Sequence, residues 1–439
     1  MPPNLLQKLP VGLFPEIAQW LPIEAKRSFS TTSSAIRNTL SPHLFRTIRI
    51  RCPVSASWDV DEFLDKYSNS IAHVHLEIPF HPNTEDSEGS EGSQDSKAEK
   101  EHPSIWGETP EISEKIKHLI GGQSLPKCST LSVKFDPGQF EEEGEWDDEG
   151  IGSIHVFMET ESWEEVEAAE KKYHWRAQYA EVWEAIAANT NIRRFDIFNL
   201  IPRSTQAWKT EEWPKFVARL EELNMTIFGG DNGAGWKAHR MYGFEDFMPK
   251  IADYFTSHAD NVKRLGITAN EEGVIGTVHM LDCPIPLKKD MLPALYALRL
   301  ESVAIDSDLL DFLKDHGDSL KELHLHNCMA CEEPSWAELW NHVREVSTAL
   351  IDLSVTEDKR PPLTDEEEFD KPPKDPEPEQ VQDIRRKLAK DESIRLWRYV
   401  EVDDKYGMLF ERSEEVIEHY EEDSEAHNAL LDVLKKRNP

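Results

Sequence analysis

The chain has 439 residues, and its 84 acidic and 49 basic side chains give a net charge of −35. This charge disfavours nucleic-acid binding and favours a basic protein substrate. Five scattered cysteines do not make a disulfide framework, and no segment approaches the roughly 20 apolar residues that span a membrane. We therefore expect a soluble protein of the cytoplasm or nucleus that binds neither nucleic acid nor membrane.

Residues 5–51 form the first predicted unit, a basic stretch of three short helices. Pro15 suits the first turn of a helix, and Pro22 ends that helix. Ile23–Ser30 predicts the second helix, and Ser33 or Ser34 can cap a third. Helices this short bury little apolar surface alone. An unused apolar face predicts docking to a partner protein, and the alternative is a cap on the following domain.

Three acidic segments interrupt the rest of the chain. Residues 84–103 and 136–150 are predicted to be disordered loops, and residues 357–379, which are rich in acidic side chains and proline, predict an extended linker. They delimit a body, residues 52–356, and a C-terminal helical segment, residues 380–439, that packs on the body. Apolar residues at helical spacing predict helices at Trp163–Asn189, Glu211–Asn224, Phe244–His258, Ser307–His316, Trp336–Val346 and Gln380–Arg398.

A leucine pattern recurs through the body. Leu320–Cys328 fits the template L-x-x-L-x-L-x-x-N/C, in which alternate leucines of a short strand face a core. Further copies are Val262–Asn270, Leu295–Val303 and Leu350–Asp358. The central leucines of these four copies are separated, in chain order, by 33, 25 and 30 residues. Weaker copies are Ile71–Pro79, Cys128–Asp136 and Ile192–Leu200. Strands alternating with helices predict an α/β fold, an irregular leucine-rich-repeat-like solenoid with parallel strands and helical insertions. The predicted core residues are Leu265, Ile267, Leu298, Leu300, Leu323, Leu325, Leu353 and Val355.

The N-terminal helices carry a recognisable pattern of Leu-Pro pairs and apolar positions. Its residues are Leu9, Pro10, Phe14, Ile17, Leu21, Pro22, Ala25 and Phe29. This segment resembles an F-box, although Ser30–Ile36 replaces the usual stretch and lacks its tryptophan. The closing run Leu40–Ile48 is similar to fungal F-box proteins in particular, and Phe228–Trp236 and Val402–Phe410 look like segments of the same proteins.

The resemblance, joined to the leucine repeats, implies a substrate receptor of a cullin-RING ubiquitin ligase. The eight residues of the F-box pattern would bind a Skp-type adaptor and, through it, a cullin scaffold, while the repeat body would hold a protein substrate. The chain would be a monomer within this hetero-complex and not an enzyme, because its contribution would be proximity. The alternative is a repeat scaffold without a ligase role, whose N-terminal helices only cap the solenoid.

Two further clusters could carry other chemistry. His324, His326, Cys328 and Cys331 have a spacing that could attract zinc, but the leucine template already accounts for Cys328 as a turn residue. The glycines of Phe228–Trp236 do not have the spacing of a phosphate-binding motif and favour a tight loop with positive φ angles. We therefore predict no metal site, no cofactor and no catalytic residue.

Overall fold

The computed structural model describes residues 13–80, 102–136, 153–278, 281–331, 333–364, 378–391 and 394–437. The strands are β1 (Thr47–Arg51), β2 (His73–Ile78), β3 (Thr130–Phe135), β4 (Arg194–Leu200), β5 (Glu222–Ile227), β6 (Arg264–Thr268), β7 (Gly276–Val278), β8 (Leu281–Cys283), β9 (Ala297–Glu301), β10 (Glu322–His326), β11 (Asp352–Thr356), β12 (Val400–Val402) and β13 (Leu409–Glu411). Nine of these strands form one parallel sheet, which confirms the predicted α/β class and the parallel strands. The predicted acidic loops and linker lie mostly outside the described residues.

The strands of the large sheet follow one another in chain order, and only the antiparallel β7–β8 ribbon steps out between β6 and β9. The register places one residue of each strand in a common row, namely Ile48, Val74, Leu131, Phe195, Leu223, Leu265, Leu298, Leu323 and Leu353. A second row, two residues further along, contains Ile50, Leu76, Val133, Ile197, Met225, Ile267, Leu300, Leu325 and Val355. All but Leu353 are buried, so the eight predicted core residues lie within two continuous apolar rows.

Helices that follow β1 in the chain cover the apolar rows from one side. The helices of the described residues are α1 (Leu13–Trp20), α2 (Ile23–Ser30), α3 (Ser34–Leu44), α4 (Val60–Tyr67), α5 (Pro110–Ile120), α6 (Ser153–Met158), α7 (Trp163–Lys172), α8 (His174–Ala187), α9 (Glu212–Val217), α10 (Tyr242–Tyr254), α11 (Ser307–Asp315), α12 (Trp336–Val346), α13 (Glu379–Lys390) and α14 (Ser413–Arg437). The buried faces of α4, α5 and α8–α14 join the strand rows in one core. The start of α12 shows why these helices form where they do, because Ser335 and Glu338 make a reciprocal capping box.

Most predicted helices are present, with corrected limits. The helices predicted at Ile23–Ser30 and Trp336–Val346 have those bounds in the structure. The helix predicted over Glu211–Asn224 is wrong in its second half, because α9 ends at Val217 and Glu222–Ile227 forms β5. Leu223, Met225 and Ile227 alternate with outward residues and point into the core, so this segment forms a strand despite its helical spacing of apolar residues. Trp163–Asn189 is divided into α7 and α8, and α13 ends at Lys390 rather than Arg398.

A buried carboxylate ties the C-terminal helix to the body. Asp423 on α14 accepts a hydrogen bond from the Ala337 amide, 2.8 Å away at the start of α12, and another from the Tyr399 hydroxyl at 3.0 Å. Trp336 and Trp397 pack beside this contact, with ring centroids 5.2 Å apart. Asp423 is fully buried, and burial raises the pKa of its carboxyl to about 6.

Candidate binding surfaces

The three N-terminal helices have a small core of their own. Ala18 from α1 is buried with Ile36 and Leu40 from α3, and Phe29 and Leu44 pack against them. Among the described residues, none before β1 belongs to the main core. The module is thus held together largely by its own side chains.

An apolar stripe lies on the outside of this module. Leu13, Ile17 and Trp20 are spaced at four and three residues along α1, which places them on one side of the helix. Ile17 is 45% exposed and Trp20 is 87% exposed, and Ile23 at the start of α2 is also about half exposed. Contiguous exposed apolar side chains of this size mark interaction sites.

The predicted adaptor-binding residues fall into three groups. Leu9, Pro10 and the side chain of Phe14 lie outside the described part of the chain. Ile17 and Pro22 are exposed, and Leu21, Ala25 and Phe29 are half-buried. Sequence reasoning included Ile17 but missed Leu13 and Trp20, whose helical spacing with Ile17 was the available signal.

The module joins the body at the edge of the sheet. Helix α3 leads directly into β1, so the last residues of the predicted N-terminal unit form the first strand. The Phe45 ring stacks on Tyr67 with a centroid distance of 3.7 Å. The Arg46 carbonyl accepts hydrogen bonds from the amides of Ala72 and His73, at 2.8 and 3.0 Å.

The second candidate surface is the exposed face of the large sheet, formed by the strand residues that alternate with the core rows. Over β4–β11 this face borders a concavity of about 770 Å³. Its outward positions carry six basic side chains, Arg49, Arg51, Lys134, Arg194, Arg264 and Arg299. They also carry six acidic ones, Glu77, Asp196, Glu222, Glu301, Glu322 and Asp352. The acidic excess of the whole chain is therefore absent from these positions.

A hydrogen-bond network orders the middle of this face. The Asp196 carboxylate accepts from Ser132 at 3.2 Å and from the Asn224 side-chain amide at 2.7 Å. Arg194 donates to the same carboxylate, and the His73 Nε2 lies 2.7 Å from the Ser132 hydroxyl. Burial lowers the pKa of His73, which keeps its ring neutral at pH 7. These side chains are fixed by one another before any partner binds.

Small residues keep the floor of the concavity low. Arg264 makes a two-point ion pair with Glu322, at 2.9 and 3.2 Å, across the intervening strand. That strand carries only Ala297 at the register position between them. At Gly266 an added Cβ would overlap the Asn224 side-chain oxygen, so the glycine leaves room for the Asn224 side chain to lie across β6.

Phe198 interrupts the polar pattern of the exposed face. The pairing of β4 with β5 shifts register within Ile197–Leu200, and Asn199 adopts a φ of +57°. The Asn199 side chain supports this irregularity by donating to the Phe135 carbonyl at 3.1 Å. Phe198 is 41% exposed, and its ring centroid lies 6.2 Å from that of His75. Bulges and positive φ angles at non-glycine residues often re-aim a side chain for function.

The histidine and cysteine cluster is divided between the two faces of the sheet. His324 and His326 lie on the exposed face, whereas Cys328 is buried and its thiol donates to the Leu300 carbonyl at 3.6 Å. Among the described residues, no group of three or more His, Cys, Asp or Glu side chains is arranged to hold a metal ion.

The glycine loop is closed by its own side chains. Asp231 accepts from the Gly233 and Gly235 amides at 2.6 and 3.4 Å, so these N–H groups are occupied. Both glycines have positive φ angles, +76° and +94°, which confirms the predicted tight loop. The loop meets the Val402–Phe410 segment, because the Lys237 amide donates to the Tyr406 carbonyl at 2.8 Å.

No protein-family model and no curated protein matches the chain. None of the helices in the described ranges is long and apolar enough to cross a lipid bilayer. The chemistry of the two surfaces is therefore the basis for inferring what this protein does.

Proposed function

We propose that this protein is the substrate-recognition adaptor of a Skp-cullin-F-box type ubiquitin ligase. The N-terminal module binds the Skp-type adaptor and, through it, the cullin scaffold. The observation that carries the proposal is the exposed apolar stripe of Leu13, Ile17 and Trp20 on a module with its own core. Phe14, Ile17, Ala25 and Phe29 of the pattern that resembles an F-box lie on α1 and α2 of this module.

The body supplies the substrate-binding half of the proposal. Parallel strands that pair in chain order, with alternate leucines in two rows, support its interpretation as a leucine-rich-repeat-like solenoid. A solenoid offers an extended face to a protein partner, and here that face carries ordered polar groups and one exposed aromatic ring. The chain itself contributes no reacting group in this role, since partner subunits carry out ubiquitin transfer and the receptor supplies proximity.

Adaptor binding tests the proposal directly. The full chain is co-expressed with a Skp-type adaptor, and the affinity of the purified pair is measured by calorimetry. We expect the double substitution Ile17→Asp and Trp20→Asp to weaken binding at least about 30-fold, since each removes an apolar anchor from the interface. The matched control is Tyr242→Asp, an aromatic position on α10 that is 74% exposed. Both variants should unfold like the parent protein because the replaced side chains project into solvent.

The proposal fails if the parent chain does not bind the adaptor or if the double variant binds it unchanged. The second candidate is a repeat scaffold in which α1–α3 only cap the sheet edge. The direct passage from α3 into β1 and the stacking of Phe45 on Tyr67 favour this role. Deletion of residues 1–44 separates the two functions. If α1–α3 are a cap, the deletion should make the body markedly less stable. If they are a docking module, the deletion should abolish adaptor binding and leave the stability of the body unchanged.

A further inference from the structure

We propose that the β1–β4 end of the exposed sheet face binds an extended acidic segment of the substrate. An apolar side chain of that segment packs on Phe198, and its carboxylates lie beside Arg49, Arg51 and Lys134. This inference rests on the proposed function, for which it names the chemistry of the substrate.

The register places the anchor and the cations on one face. Lys134 is the direct partner of Phe198 across β3 and β4, Glu77 is the partner of Lys134, and Arg51 is the partner of Glu77. Neighbouring strands lie about 4.8 Å apart, so Phe198 and Arg51 are separated by about 14 Å. An extended chain rises about 3.3 Å per residue. The apolar residue and the furthest carboxylate of a bound segment are thus about four residues apart.

The cations of this region are available to a ligand. Glu77 is the acidic side chain among these outward positions of β1–β3, and it lies 3.5 Å from Arg49. Within the described residues, Arg51 and Lys134 have no carboxylate within ion-pair distance, and both side chains are exposed. On β4 the outward Arg194 and Asp196 pair with each other. The outward positions of β1–β4 thus carry four cations and two carboxylates, and this excess of positive charge favours an anionic partner. The negative charge elsewhere on the chain opposes this only weakly, because physiological salt screens charges beyond about 8 Å.

The Phe198 side chain lies on the exposed face of the sheet and not in the core. Phe195 and Ile197 on the same strand face the core, so strand alternation places Phe198 on the opposite side. The irregularity supported by Asn199 follows directly after Phe198. Burial, reinforced by the charge of Arg49, lowers the pKa of the neighbouring His75. Its ring is therefore neutral at pH 7 and lies beside the Phe198 ring as an uncharged aromatic neighbour. An exposed aromatic ring with a fixed neighbour is the usual anchor of a protein interface.

Fluorescence anisotropy of labelled 12-residue peptides with the full chain tests the inference. The probe contains one leucine flanked by Asp and Glu, and three companions replace the acids by Lys, by Asn and Gln, or by phosphoserine. We expect the acidic probe to bind, the neutral one to bind more weakly and the Lys peptide not to bind. Tighter binding of the phosphoserine peptide would still support an anionic segment and would assign the anion to phosphate.

Two substitutions on the face should each weaken binding of the acidic probe by about 10-fold or more. These are Phe198→Ala and Lys134→Glu, and their matched controls are Phe410→Ala, 40% exposed on β13, and Lys289→Glu. Absence of binding by every peptide, equal binding of the Lys peptide, or no effect of Phe198→Ala would overturn the inference. The adaptor is absent from this assay, and Ile17 and Trp20 are not changed in it. Its failure therefore leaves the adaptor-binding result standing.

Discussion

Replacing the buried carboxylate Asp423 by asparagine should make the stability of the protein less sensitive to rising pH. Asp423 is fully buried between α14 and the start of α12, where the Ala337 amide and the Tyr399 hydroxyl donate to it. Asparagine has nearly the same shape, can still accept from the Ala337 amide and carries no charge at any pH. The substitution therefore removes the titration while keeping the contact.

The size of the effect follows from the pKa of this carboxyl. Burial raises it from 3.8 to about 6. The folded protein thus holds a proton that the unfolded chain releases, and the stability that this proton provides below pH 3.8 is lost as the pH rises through 6. Because one pKa unit corresponds to about 1.4 kcal/mol, the loss between pH 4.5 and pH 7.5 is about 2 kcal/mol.

Urea unfolding at pH 4.5 and pH 7.5 measures this loss. The parent protein should lose about 2 kcal/mol more free energy of unfolding between the two pH values than Asp423→Asn does. The control is Asp311→Asn, an exposed position on α11, which should follow the parent. Burial also raises the pKa of Asp306 to about 6. Asp306 is present in all three proteins, so its contribution to the pH dependence cancels in the comparison. Equal pH dependence in the parent and Asp423→Asn would refute the reasoning.

Three further changes have definite expected outcomes. Leu298→Ala, at a fully buried position of the first apolar row, should lower the free energy of unfolding by about 2–5 kcal/mol in urea titrations. Gly266→Ala should cost about 1–3 kcal/mol by displacing Asn224 from Asp196, and the double change with Asn224→Ala should cost less than the sum. Burial lowers the pKa of His239 to about 4, so stability should fall as the pH drops from 6.5 towards 4, and His239→Gln should reduce that fall.

The core rows were predictable because leucines mark them. The central residues Leu265, Leu298, Leu323 and Leu353 lie in one row, as strict alternation in short parallel strands requires. Strand β5 was missed because the apolar residues of α9 continue into it at helical spacing. The 70-residue interval between Phe195 and Leu265 contains β5. The intervals of 57 and 64 residues before it contain no further strand among the described residues, so interval length alone could not reveal β5.

The candidate sites were less predictable, since exposure depends on which apolar residues find a core. Helix α1 has apolar residues on more than one side, and sequence alone does not show that Ala18 turns inward while Ile17 and Trp20 turn outward. On the sheet face, Phe198 occupies an outward position of its strand, which alternation could have shown. The network around Asp196 depends on the register between four strands and was beyond sequence reasoning.

The order of strands in the large sheet has a consequence for synthesis. Each strand pairs with the one made before it, so a strand leaving the ribosome meets an edge that already exists. The growing end of the sheet is extended, strand by strand, as translation proceeds. Helices that follow most of these strands then cover the layer just added. The sheet can therefore assemble from its N-terminal strand onwards, as expected of a fold in which each unit rests on its neighbour, and the contacts of α14 with α12 form last.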